Sequence, residues 1–198
     1  MIGNDVIDIG TTRQESNWKR KGFLQKLFTD KECQFILEGD DPEFFVWLIW
    51  SAKESAYKIV HRSQQKMFFS PKKFEFIEDH FSNENGITGR IKFEESFFDF
   101  KSEFDGNCIH TTAIQSGYLI NYISEIFSIS RTNYQTQRAG VRTALINWFG
   151  GNRDSVQSIE IRKDELGIPY VYESGVKSAC LLSLAHHGGY GGFAITFE

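Results

Sequence analysis

The chain contains no G-x-G-x-x-G run and no G-x-x-x-x-G-K-[ST] run, which sets aside the usual dinucleotide and P-loop nucleotide sites. Its one glycine-dense stretch, GGYGG at 188–192, matches neither pattern. Cysteine is scarce: Cys33, Cys108 and Cys180 are odd in number, far apart and without a C-x-x-C pair, so neither a disulfide framework nor a zinc site is supported. No apolar run reaches the roughly 18 residues a membrane span needs. The N-terminus also lacks the basic-then-apolar pattern of a secretory signal, and the expectation is a cytoplasmic protein off the membrane. Positive charge is not in excess either; the net charge is −4, and nothing global points to nucleic acid.

What is present is a bulky aromatic inventory with 19 phenylalanines, enough within 198 residues for one domain or two small lobes sharing a core. MIGNDVIDIG predicts a short strand carrying Asp5 and Asp8. FTDKECQFIL predicts a helix, with Thr29 as cap and Glu32 three positions on completing a capping box. A longer helix starts at Asp41, with Pro42 in its first position; it is apolar all round from Phe44 to Trp50 and amphipathic from Ser51. PKKFEFIED, GRIKFEESFFDFKSEF, NCIHTTAI and YLINYISEIF alternate as strands do. The polar stretch 128–140 reads as a linker, VRTALINWFG as a helix, and the remainder as mainly extended. Two echoes recur in the same order: SPKKFEFIED with SVQSIEIRKD, and AIQSGYLINYI with AHHGGYGGFAI. They suggest a duplicated unit, roughly 1–127 and 131–198, with one site between unequal lobes.

The segment WSAKESAYK poses the chemical question, because it sets Lys53, Glu54 and Lys58 into the most water-averse part of the chain. Charges lose several kcal/mol of hydration on burial, roughly, unless they are paired or meet an ion. Asp5 and Glu54 can converge on a hard divalent cation that keeps waters and shares its shell with phosphates, with Lys58 a turn away offsetting phosphate charge. The plainer alternative is a solvated Glu54–Lys58 pair at i,i+4. His186 and His187 are adjacent on a predicted strand and point to opposite faces, so at most one serves a given site. The basic run Arg13, Lys19, Arg20, Lys21, Lys26 and Lys31 is either a solvated helix face or a docking lip for an acidic partner.

These residues resemble the 4′-phosphopantetheinyl transferase superfamily. IGNDVIDI is similar to its G-x-D metal strand, WSAKESAYK to its W-x-x-K-E-x-x-x-K helix, and FLQKLFTDKE to the F-x-x-x-x-F-T/S-x-x-E segment of holo-acyl-carrier-protein synthases. VRTALINWFG, ELGIPYV and SLAHHGGYG resemble the first half of the long two-lobed type, here placed after the G-x-D half. The resemblance implies an α+β fold of two pseudo-symmetric lobes, each a small antiparallel sheet packed on helices: 1–127 bearing metal and catalysis, 128–198 on the coenzyme A 3′-phosphate side. It departs at three points. Ile7 stands where the long type has a second metal-strand acid, so Asp8 is expected to complete a simpler metal shell. Ile168 replaces the lysine of G-K-P, and Ala185 the serine before the strand histidine. Those two losses remove expected 3′-phosphate contacts that Arg131, Arg138 or Arg142 could replace.

The activity implied is transfer of the phosphopantetheine arm of coenzyme A to a serine of an acyl or peptidyl carrier protein, with release of 3′,5′-ADP. Asp5, Glu54 and Asp8 would hold magnesium or manganese, Glu54 and Lys58 would act in catalysis, and Lys53, Lys58, His186 and Arg142 would contact the coenzyme. The carrier protein would dock near Arg13, Lys19, Arg20, Lys21 and Lys26, and one chain carrying both lobes would act as a monomer. The competing readings are a non-catalytic module that grips carrier protein or coenzyme A, and a metal-dependent phosphodiester hydrolase.

Overall fold

A computed structural model describes residues 1–68, 70–82, 87–118, 120–129, 133–152 and 158–197 as a mixed α+β structure of three antiparallel sheets packed with helices. The largest sheet has the order β1-β5-β4-β3-β2, built from β1 (Ile2–Asp8), β2 (Glu75–Ser82), β3 (Ile87–Phe93), β4 (Ser96–Phe104) and β5 (Cys108–Gln115). Between β1 and β2 run α1 (Ile9–Glu15), α2 (Phe23–Leu27), α3 (Asp30–Glu38) and α4 (Pro42–Gln64). The capping box at Thr29 and Glu32 forms with both of its bonds, and Asp41 caps α4 by accepting from the Phe44 N–H. The apolar half of α4 is sunk in the core, with Val46, Leu48 and Ile49 fully buried among Phe28, Ile36, Ile91 and Ile109. At Gly3 the strand meets the helix backbone so closely that a Cβ would collide with the Ser55 carbonyl oxygen.

The second portion holds two three-stranded sheets. One has the order β10-β11-β6, from β6 (Tyr122–Ser128), β10 (Leu182–His187) and β11 (Tyr190–Thr196); the other is β7-β8-β9, from β7 (Ile159–Lys163), β8 (Pro169–Glu173) and β9 (Val176–Lys177). Helix α5 (Tyr134–Asn152) packs Leu145 and Phe149 against Leu182 and Phe193. Two differences from the sequence reading have local causes. Much of the stretch read as a linker is helical from Tyr134, because Asn133 accepts from the Thr136 N–H and starts a helix whose first turns are polar and exposed. Strand β6, counted with the first portion, pairs with β11. The echo at 113–123 therefore crosses between sheets, whereas its partner at 185–195 turns back as the β10–β11 hairpin. Residues 155–157 of the other echo lie outside the described residues.

The portions meet along β1. The Asn4 N–H donates to Ser183 Oγ at 2.9 Å, and the Asp8 N–H donates to His187 Nδ1 at 2.9 Å. Both pairs are offset by 179 positions, so β1 and β10 run alongside in one constant register, joined by side chains of β10 to the backbone of β1. Val6 and Ala185, midway, share a small apolar cluster with Cys108. Among the described residues no helix is long and apolar enough to cross a membrane.

Candidate functional site

Glu54, Lys58 and Arg62 recur every four residues along α4, which places them in one stripe. Lys58 Nζ donates to the Asn4 carbonyl at 2.6 Å and to Asp5 Oδ1 at 3.2 Å, so the strand and the helix are joined at the site itself. Burial first, and the nearby Asp5 carboxylate second, push the Glu54 carboxyl up to about 7, with Lys58 opposing them. Asp5 and Glu54 act on one another as like charges, with the Lys58 ammonium bonded to Asp5 and opposing the effect on Glu54. A divalent ion would relieve that repulsion, and a two-carboxylate donor set fits a hard cation that keeps waters and takes phosphate oxygens. Among the described residues no three His, Cys, Asp or Glu side chains gather as a metal-binding group.

Asp8 does not join this pair. Successive residues of a strand face opposite ways, so Asp5 and Asp8, three apart, lie on opposite faces of β1. Asp8 is 1 % exposed, and one carboxylate oxygen caps α1 through the Thr11 N–H while the other accepts from the Gly189 N–H. It fastens the β10–β11 turn to β1, away from the Asp5–Glu54 pair. Lys53 also stands apart from that pair. Its ammonium is buried, 2.6 Å from Glu32 Oε2 and 3.2 Å from the carbonyls of Leu27 and Pro71. Glu32 in turn accepts from the N–H groups of Thr29 and Phe76. Lys53 therefore ties α2, α3 and the approach to β2 onto α4. Burial lowers its pKa while Glu32 pulls the other way.

On the second portion, His186 and His187 do face opposite ways. His187 meets β1, whereas His186 meets α5, with Nδ1 3.1 Å from Gln137 Oε1 and its ring 5.0 Å from that of Tyr134. Burial, then Lys58, Lys163, His187 and Arg138, lower the His186 pKa. The same cations act on one another: Lys163 is lowered by desolvation and then by Arg138, Arg142 and Lys58, and Arg142 by burial and Arg138. Arg138 and Arg142 each hold a buried Nε with no hydrogen-bond partner among the described residues. Arg131 lies outside the described residues. Cations gathered against their mutual repulsion would be relieved by an anion.

A cavity of 260 Å³ opens between the portions, lined by Tyr57, Lys58, Arg62, Lys163, Ile168 and Leu184 among others. Ile168 is buried and gives this cavity an apolar wall where the resemblance expects a lysine. Ala185 packs with Val6 and Cys108 toward β1, whereas His186 meets Gln137 of α5. Two residues at this cleft escaped the sequence reading. Arg62 continues the spacing of Glu54 and Lys58, a signal that was present; Lys163 enters only through the β7–β8 pairing and had no sequence signal.

The basic run splits. Arg13 is held by Glu43 at 2.7 Å, while Lys19, Arg20 and Lys21 rim a groove of 680 Å³ floored by Trp18, Leu24 and Leu37. Lys26 is exposed on α2. A comparison with curated proteins returns no match. A family model described as the 4′-phosphopantetheinyl transferase superfamily matches residues 1–119, which span β1, α4 and the whole of the five-stranded sheet. More than half of the chain is thereby covered, and the protein belongs to the 4′-phosphopantetheinyl transferase superfamily.

Proposed function

We propose that the protein transfers the 4′-phosphopantetheine arm of coenzyme A to a serine hydroxyl of an apo carrier protein and releases 3′,5′-ADP. The observation that carries this reading is the Asp5–Glu54 pair beneath Lys58, at a cleft whose far side gathers Lys163, Arg138, Arg142 and His186. The serine oxygen bonds to the β-phosphorus of the coenzyme as the bond to the bridging pyrophosphate oxygen breaks, and that oxygen leaves with 3′,5′-ADP. Asp5 and Glu54 would hold magnesium or manganese, which when bound neutralises pyrophosphate charge and polarises the phosphorus. Glu54, directly or through a water it orients, takes the serine proton. Lys58 stabilises charge that builds on the phosphates. The cations of the second portion hold the 3′-phosphate. Residues 1–127 then act as the metal- and catalysis-bearing lobe and 128–198 as the phosphate-bearing lobe, within a monomer.

Carrier proteins are acidic around the modified serine, a family-level expectation, and the groove rimmed by Lys19, Arg20 and Lys21, flanked by Arg13 and Lys26, offers an apolar floor within a positive border. Charge there speeds encounter more than it tightens the complex. The buried Ile168 favours a second reading, a module that binds coenzyme A or carrier protein without transfer. The deciding measurement is the mass of an apo carrier protein incubated with coenzyme A, magnesium and this protein. A phosphopantetheine mass gain supports transfer; binding without gain leaves the module, and removal of the arm from holo carrier leaves a hydrolase.

A further inference from the structure

Arg62 stands one turn beyond Lys58 on the stripe that carries Glu54, yet it reaches neither the acids nor the cation cluster. Its Nη2 donates to the Leu182 carbonyl at 2.6 Å and to the Pro169 carbonyl at 3.0 Å. Its guanidinium also lies over the Tyr170 ring, 5.1 Å from the centroid. The two carbonyls open two different strands, β8 and β10, which belong to two different sheets. Ile168, on the cavity wall, directly precedes the first, and His186 is on the second.

We infer that Arg62 is a positioning residue: one guanidinium ties the leading edges of both second-portion sheets to the catalytic helix and so sets the width of the coenzyme cleft. The inference rests on the reading of the cleft as a coenzyme A site. Helix α4 is itself rigid, with Ala52, Ala56 and Ile59 buried, so whatever is fastened to its end is fixed relative to Glu54 and Lys58. The guanidinium bonds both carbonyls from one nitrogen, Nη2, while its plane lies over Tyr170; an ammonium could donate to both carbonyls, as Lys53 does to two of its own, but offers no plane to that ring. Arg62→Lys should accordingly restore charge but only part of the hold.

The test uses the full chain with Arg62→Gln and Arg62→Lys, and reads amide hydrogen exchange together with steady-state kinetics. For Arg62→Gln, exchange over 164–170 and 182–187 rises while 46–56 stays protected. The KM for coenzyme A rises about tenfold, equivalent to the loss of about 1.4 kcal/mol of binding, with kcat within about twofold. Arg62→Lys falls between, and it decides the matter should Arg62→Gln fail to fold. Unchanged local exchange, an unchanged KM, or a fall in kcat at constant KM would each overturn the inference. Wild-type protein that binds no coenzyme A defeats the transfer reading instead. Faster exchange in the variant would then leave Arg62 as a structural tie and overturn its positioning role.

Discussion

Around α4 the core is aromatic, with Phe28, Phe74, Phe76, Phe93, Phe98 and Phe100 buried, and it encloses the Lys53–Glu32 ion pair. Around α5 the core is smaller, made from Leu145, Phe149, Ile161, Val171, Leu182 and Phe193, and Lys163 lines the cleft with Arg138 and Arg142 acting on its charge. The first portion neutralises its buried charge internally and presents two acids; the second keeps its cations beside one another. An acidic wall and a basic wall, neither comfortable alone, are what a charged pyrophosphate with a divalent counterion would reconcile. On the proposed reading the difference between the portions would divide the labour: one would hold the reacting end of the substrate, the other its anionic handle.

The sharpest way to break that division is Glu54→Gln, which should lower transfer by about 10²–10⁴-fold without unfolding the protein. Near-normal turnover would remove Glu54 from the chemistry. The same variant has a pH signature. The folded-state carboxyl is raised from 4.5 to about 7, so between those values the folded form keeps a proton that the unfolded form has lost. Stability contributed by that proton is present below pH 4.5 and is lost as pH rises through 7. Metal-free Glu54→Gln should lack this decline and exceed wild type at pH 8 by up to about 3 kcal/mol in denaturant titrations.

Next in size is Lys53→Met. Removing one partner of a buried ion pair strands the other, at about 3–5 kcal/mol, and the denaturant midpoint should fall accordingly. Adding Glu32→Gln should recover only part of the loss, because its amide NH2 would face one of the two backbone N–H groups that Glu32 accepts from. A stable Lys53→Met protein with weakened coenzyme A affinity would instead return Lys53 to the cleft. The smallest effect belongs to the rim of the groove. Changing Lys19, Arg20 and Lys21 together to Glu should slow association with carrier protein about tenfold at low salt, and the difference should shrink as salt is raised. The KM for coenzyme A should not move; if it does, the two portions do not divide their tasks as described.

Much of the first portion was legible from sequence because its signals are local. The Thr29–Glu32 capping box, the Asp41–Pro42 helix start and the strand around Asp5 are each specified within a few residues. The partner of Lys53 was not legible, because Glu32 is 21 positions away and only the packing of α3 on α4 brings the two together. The separation of Asp8 from Asp5 was legible, since three positions along a strand lead to the other face. The beginning of α5 was missed because its first turns are polar and exposed, so composition imitates a linker. Lys163 joins the cleft through the turn after β7, where Asp164 accepts from the Leu166 and Ile168 N–H groups, and no spacing in the chain announces that.

The seam between β1 and β10 has one further consequence. Backbone hydrogen bonds repeat identically along every strand, and an open edge accepts many partners in many alignments. A hydroxyl at 183 and an imidazole at 187 accept only one, because each must find its own N–H on β1. The junction thus carries an address written in two side chains, and sliding the strands past one another by a residue would forfeit both at once.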